Sequence, residues 1–351
     1  MSRALDAKVK EALEIEDNAS VYRSVADVLC IRHDELLDIE VLGPSHILPH
    51  GTYVLQEENA VAIPKLNILR AFLPAYKIFK RHIDYQDVTP DELLRATSVM
   101  LLLDPEHMTA ANARKRQIQQ IEQGNMRLLD IRIDAEFYFI DSLLTSRLHR
   151  HTKSPTLWGH RQWLLELCTS MQRPVDSLPT ALAKLIFISA ERHPRNYYAW
   201  CHARYLLDLA SRQRQHAAPD RGTRWPPQQE QDAAALEALT DAVKTWCFSH
   251  HDDTSGWSFL TVLIARRPQA AAIALFTETL GRAEAFSWRG ESVWYFLRNM
   301  LRADWLPDGH HRAQFERVLE LVHGRVAEPE QLDRQVLGHM LEWVKMYAAS
   351  N

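Results

Sequence analysis

Residues 154–165 read Ser-Pro-Thr-Leu-Trp-Gly-His-Arg-Gln-Trp-Leu-Leu, and residues 196–207 read Asn-Tyr-Tyr-Ala-Trp-Cys-His-Ala-Arg-Tyr-Leu-Leu. Set side by side on Trp158 and Trp200, the two runs share a small polar residue before the tryptophan, a histidine after it and a closing pair of leucines. Three further runs fall into line: Thr-Ser-Gly-Trp257-Ser-Phe-Leu, Glu-Ser-Val-Trp294-Tyr-Phe-Leu and the weaker Thr-Ala-Ala111-Asn-Ala-Arg114. The key position recurs at 111, 158, 200, 257 and 294, at intervals of 47, 42, 57 and 37. The longest interval holds residues 211–230, a stretch with three prolines, one glycine and few aliphatics that reads as a surface excursion. Without those 20 residues it shrinks to 37 and rejoins the others. Each unit is then two helices of ordinary length and a turn.

Local chemistry supports that reading. Ser154, Asn196, Ser255 and Ser292 stand two to four positions ahead of their tryptophans, where a side-chain oxygen can cap a helix start. Pro155 follows its serine at a first helical position, where the missing N–H is not needed. Trp158, Trp200, Trp257 and Trp294 fall in the first turn, with aliphatics on the same face further along, and so belong to an inter-helix core. A lone hairpin cannot bury such a face, whereas stacked neighbours can. The expectation is an all-α fold, a right-handed α-α superhelix of helical hairpins. Residues 1–99 would form N-terminal helices and a cap, 100–305 five repeats, and 306–351 capping helices. Further apolar stripes at Leu5–Val9–Leu13, Ala181–Leu185–Ile186–Ile188 and Val318–Leu319–Leu321–Val322 agree. One exception is expected, a short β-hairpin near 52–63, where two β-prone runs flank Gln56–Asn59.

Composition narrows the function. The chain has 351 residues, 46% of them hydrophobic, with 41 Lys and Arg against 45 Asp and Glu. The net charge of −4 argues against a sequence-independent nucleic-acid binder, which needs many phosphate-neutralising cations. No apolar run reaches the ~18 residues of a membrane span, and the N-terminal stretch lacks the apolar core of a signal peptide. Four scattered cysteines with no Cys-x-x-Cys encode neither a disulfide framework nor a zinc module, so a reducing cytoplasm is expected. Cys168 and Cys201, among apolar helix residues, read as buried packing. His250-His251-Asp252-Asp253 has metal-ligand residue types, but neighbours on one turn rarely converge on an ion. Asp252-Asp253 is followed by Thr-Ser-Gly and does not make the Asp-Asp-x-x-Asp box of an isoprenoid synthase. Phosphate loops, nucleophile elbows and His-Glu-x-x-His are absent from the sequence.

The Trp-x-His-Arg-x-Trp core at 158–163 and Asn-Tyr-x-Ala-Trp-x-His at 196–202 resemble the protein prenyltransferase alpha-subunit repeat, over about residues 100–305. Ile47–Asn59, with the apolar helix after it, and Leu102–Lys115 look like the divergent alpha-subunit repeat-containing branch, which supplies the alpha subunit of a type III protein geranylgeranyltransferase. The resemblance implies a crescent-shaped subunit wrapped around a catalytic beta subunit. That beta subunit holds the lipid pocket and the zinc that makes the substrate cysteine a thiolate, and no cofactor or metal is expected in this chain. The implied partners are thus a prenyltransferase beta subunit, an isoprenoid diphosphate and an acceptor protein with a C-terminal cysteine. By motif, Lys153 takes the place of the family's lysine at the leaving diphosphate. Asn196, Tyr197 and Tyr198 take its Asn-Tyr-His triplet, and Arg195 the lysine before that triplet. Lys153 and Tyr198 are the expected catalytic contacts, with Arg195, Asn196 and Tyr197 helping to bind the diphosphate.

Charge patterning points the same way. No acid lies between Asp141 and Glu166, while Arg147, Arg150, Lys153 and Arg161 carry +4; Arg192, Arg195 and Arg204 form a similar window between Glu191 and Asp208. Both lie at the same phase of successive repeats and so suggest one positive surface; both precede helix starts, which favour anions, and cations fixed at a leaving diphosphate stabilise its growing charge. Departures stand beside the match. Ser154-Pro155 replaces an Asn-Tyr, Tyr198 a histidine and Arg195 a lysine; unit four has lost its His-Arg pair, and unit one has Ala111 for Trp. A helical-repeat scaffold that binds a protein partner without catalysis is the alternative.

Overall fold

The structure, a computed structural model, describes residues 17–121, 125–216, 228–302, 305–306, 309–326 and 331–349. The stripe Leu5–Val9–Leu13 and residues 217–227 of the expected excursion lie outside that set. The fold is all-α with one small sheet. The described residues up to His202 form one compact unit, and those from Ala203 a second.

In the first unit, α1 (Asn18–Cys30) leads into a three-stranded sheet of β1 (Asp38–Leu42), β2 (Leu55–Glu57) and β3 (Ala60–Pro64). The expected hairpin is there: β2 and β3 pair antiparallel, with Gln56 opposite Val61, around a turn at Glu58-Asn59. Strand β1 was not foreseen. It pairs parallel to β3, making the order β1-β3-β2. Its Asp-Ile-Glu-Val-Leu is too short to stand out, yet Ile39 joins Val61 and Ile63 in the core. Then follow α2 (Lys65–Ile83), α3 (Pro90–Leu103), α4 (Met108–Ile121), α5 (Met126–Thr145), the single turn α6 (His149–Thr152), α7 (Pro155–Ser170) and α8 (Leu178–Ala181). The last runs through a π turn, Leu182–Ile186, into α9 (Phe187–Arg192). Next is α10 (Tyr197–His216). In the second unit lie α11 (Gln228–Ser249), α12 (Thr254–Ile264), α13 (Gln269–Ala285), α14 (Glu291–Arg302), α15 (Gly309–Gly324) and α16 (Gln331–Ala349). The expected excursion is therefore helical at both ends. Residues 211–216, ahead of the first proline and with good helix formers at Arg212 to Gln215, extend α10, and 228–230 open α11.

Ala111, Trp158, Trp200, Trp257 and Trp294 are each the fourth residue of a helix, namely α4, α7, α10, α12 and α14. All five are at most 4% exposed. Burying an indole of ~200 Å² is worth at most about 5 kcal/mol. Three indoles also fasten the linker ahead of their own helix: Trp158 donates to Thr152 O (2.8 Å), Trp257 to His251 O (2.9 Å) and Trp294 to Trp288 O (2.9 Å). The position two residues after the tryptophan packs against the previous repeat, His202 on Trp158 (ring centroids 5.1 Å) and Phe296 on Trp257 (4.7 Å).

Caps differ in part from the reading above. Ser154 Oγ accepts from Leu157 N and Asn196 Oδ1 from Ala199 N, as expected. The cap of α12, however, is Asp253, which accepts from Ser255 N and Gly256 N; Ser255 lies inside the helix. Ser292 lies inside α14 and donates instead to Asp252 O.

Candidate functional site

The linkers ahead of α7 and α10 lie against each other. Asn196, 1% exposed, donates through its amide to Thr152 O (2.8 Å) and Ser189 O (3.3 Å). His149 and His193 meet edge to face, their Nδ1 atoms 3.4 Å apart. Lys153 follows Thr152 and is exposed, with no ion pair among the described residues. Arg195, exposed, holds the turn before Asn196 with φ +60°, a left-handed conformation costing a non-glycine residue about 1 kcal/mol. Tyr197 and Tyr198 open α10, 64% and 37% exposed, with their rings edge to face at 5.6 Å. The rim thus joins an exposed cation, a strained arginine turn and two surface phenols. Both amide ends of Asn196 are engaged within the protein.

The two acid-free windows do not form one bare positive surface. Arg147 and Arg192 both reach Asp38 on β1, at 2.7 and 3.3 Å, and Arg150 reaches Asp104 at 3.1 Å. Arg161, 3% exposed, is held by Asp141 (2.7 Å) and by His202 Nε2 (2.8 Å). Arg204 Nη2 donates to Ser258 Oγ (2.7 Å). Asp38 lies 109 residues before Arg147 in sequence, so a window count could not include it. A cleft of about 700 Å³ that takes in Arg161 and Arg192 is lined by both signs, with Asp38, Asp141 and Lys184 among its residues.

The Trp-x-His-Arg motif is structural here. Arg114 and Glu136, each 3% or less exposed, form a bidentate pair with nitrogen–oxygen distances of 2.8 and 2.7 Å, and His160 Nε2 lies 3.0 Å from Glu136. Burial opposes charge on Glu136, yet Arg114 and His160 outweigh it and hold the carboxyl down at about 2. Burial lowers the imidazoles of His160 and His151, the latter to about 4; His202 falls well below its usual value through burial and then the Arg161 charge. These histidines are neutral packing groups.

The His250–Asp253 run is likewise taken up by the fold. His250 stacks on Trp246 (4.2 Å), His251 stacks on Trp288 (5.1 Å), and Asp253 caps α12. Among the described residues no group of three or more His, Cys, Asp or Glu could hold a metal ion, and no helix is long and apolar enough to cross a membrane. Cys168 is buried as expected, but Cys201 is only partly so, and all four cysteines are free thiols.

A family model described as the ECM9 middle domain matches residues 157–282, from the start of α7 into α13. Protein ECM9 of Saccharomyces cerevisiae is 26% identical over 245 residues, covering 68% of this chain and 57% of that protein. Protein prenyltransferase alpha subunit repeat-containing protein 1 is 27% identical in Homo sapiens over 190 residues, covering 50% and 40%. Its counterpart in Danio rerio is 32% identical over 134 residues, covering 33% and 29%. The chain therefore spans at most 57% of the length of these relatives. Tryptophans in phase at the fourth residue of successive helices thus stand beside a similarity to proteins named for the prenyltransferase alpha-subunit repeat and to ECM9.

Proposed function

We propose that the chain is the alpha subunit of a heterodimeric protein prenyltransferase, of the type III geranylgeranyl kind, working beside a beta subunit in a reducing cytoplasm. The observation that carries this reading is the Asn196–Thr152 bond, which ties the linker bearing Lys153 to the helix start bearing Tyr197 and Tyr198. The names of the relatives add to it. In the reaction the bond between the isoprenoid C1 and the diphosphate oxygen breaks and a carbon–sulfur bond to the acceptor's C-terminal cysteine forms. The partner's zinc would hold that cysteine as its thiolate. This chain's part is to meet the departing diphosphate with the charges of Lys153 and Arg195 and the hydroxyl of Tyr198. Groups that bind most strongly as charge develops raise the rate.

The test is co-expression with a prenyltransferase beta subunit, followed by lipid transfer to an acceptor ending in cysteine. Lys153→Ala should lower kcat/KM by about tenfold to a hundredfold, about 1.4–2.7 kcal/mol, and Tyr198→Phe by less. Failure to form a complex, or turnover indifferent to Lys153→Ala, would favour a second reading, a non-catalytic scaffold for a protein partner. One observation speaks for that reading: Arg147, Arg150 and Arg192 are already paired with acids.

A further inference from the structure

Two hydrogen bonds converge on the carbonyl of Thr152. The indole N–H of Trp158 donates from the same repeat (2.8 Å), and the amide of Asn196 from the next one (2.8 Å). Thr152 is 0% exposed and Asn196 1%, so water cannot replace either donor. The fixed oxygen belongs to the peptide group whose nitrogen is that of Lys153. Asn196 also donates to Ser189 O in the last turn of the preceding helix and caps α10 by accepting from Ala199 N. One side chain thereby ties together the end of α9, the start of α10 and the peptide plane of Lys153.

The same latch recurs in other repeats with a shorter residue. Ser154 Oγ donates to Pro105 O (3.2 Å) and Ser292 Oγ to Asp252 O (2.8 Å). A serine therefore suffices to join adjacent linkers where no cation follows. At the rim the joint is made by an amide, which offers two donors and an acceptor at once.

We propose that Asn196 is a positioning residue for diphosphate binding. It contacts no ligand itself but holds the backbone of Lys153 in register with Tyr197 and Tyr198, so that both linkers meet the same anion. This rests on the reading of Lys153 and Tyr198 given above. A supporting shell of this kind fixes the geometry of the contacting groups.

The experiment uses the full chain titrated with inorganic diphosphate at low ionic strength, in a double-mutant cycle of Asn196→Ser and Lys153→Ala. Serine keeps a capping oxygen, as Ser154 does, but its one hydroxyl cannot donate to both Thr152 O and Ser189 O as the amide does. Lys153→Ala should weaken diphosphate binding about tenfold. Asn196→Ser should weaken it about as much in the natural chain but less than about twofold when Lys153 is already alanine. The Trp158 indole N–H resonance, whose acceptor Asn196 shares, should shift in Asn196→Ser. An equal effect of Asn196→Ser in both backgrounds, or an unmoved Trp158 signal, overturns the inference and leaves the reading of Lys153 standing. No effect of Lys153→Ala overturns that reading and the inference with it. Should Asn196→Ser not fold, Trp158→Phe removes the other donor to the same carbonyl and completes the cycle on diphosphate binding alone, an equal effect in both Lys153 backgrounds again overturning the inference.

Discussion

Arg114 is enclosed on every side. Its Nη1 reaches Leu94 O (3.0 Å), Thr97 Oγ1 (3.2 Å) and Ser98 Oγ (2.8 Å), its other donors hold Glu136, and its guanidinium lies 4.2 Å from the Phe139 ring centre. A paired buried charge costs little net stability, but an orphaned one costs several kcal/mol. Glu136→Gln should therefore destabilise the fold by about 3–5 kcal/mol in urea unfolding, whereas Arg114→Met with Glu136→Leu should lose clearly less. A single mutant no worse than the double would remove the argument. This residue was half legible. The Arg of Ala111-x-x-Arg114 could be read as the remnant of a repeat motif, but its partner stands 22 residues away on α5, where no spacing rule marks it. Lys153 shows the converse: its neighbours in sequence predicted a bare positive surface, and acids from β1 and from the end of α3 cancelled much of it.

At the scale of elements, what the sequence carries is phase. An indole at the fourth helical position is buried wherever it occurs, because the first turn of each such helix faces its neighbours, so the repeat was readable from tryptophans alone. What it carries poorly is which of two adjacent polar residues caps. Asp253 and Ser255 are both good caps, and only backbone geometry decides: Asp253 has φ −86° and ψ 93°, outside the helix, and its carboxylate accepts two N–H groups. Asp253→Ala should cost about 1 kcal/mol, read as a loss of a few degrees in Tm, while Ser255→Ala should stay within about 0.5 kcal/mol. The reverse order would return the cap to Ser255. Strand β1 escaped notice for a related reason. Its five residues gain a sheet only by pairing with β3, 22 residues later, and parallel pairing of distant segments leaves no periodic trace.

For the molecule as a whole, the neutral buried histidines set a direction for its response to acid. His151, His160 and His202 all belong to the unit ending at His202, and all have imidazoles lowered in the fold, His151 to about 4. Unfolded, each takes up a proton near pH 6.5. Below that value the unfolded chain binds more protons than the folded one, so stability falls with pH from about 6.5 until the folded values are reached. For His151 the gap of 6.5 − 4, or 2.5, corresponds to an order of 3 kcal/mol. Glu136 works at lower pH. Its stabilisation is complete above the ordinary carboxylate value of 4.5 and is lost as pH falls towards about 2. Lowering the pH from 7 to 5 should therefore reduce Tm, with hydrogen exchange rising first in the unit ending at His202. The replacement that tests the cause is His202→Phe, because Phe296 fills the matching place in a later repeat and needs no proton. It removes one titrating group while leaving Arg161 bound to Asp141. The variant should lose less Tm between pH 7 and pH 5 than the natural chain; an unchanged slope would mean that His202 contributes nothing to acid sensitivity.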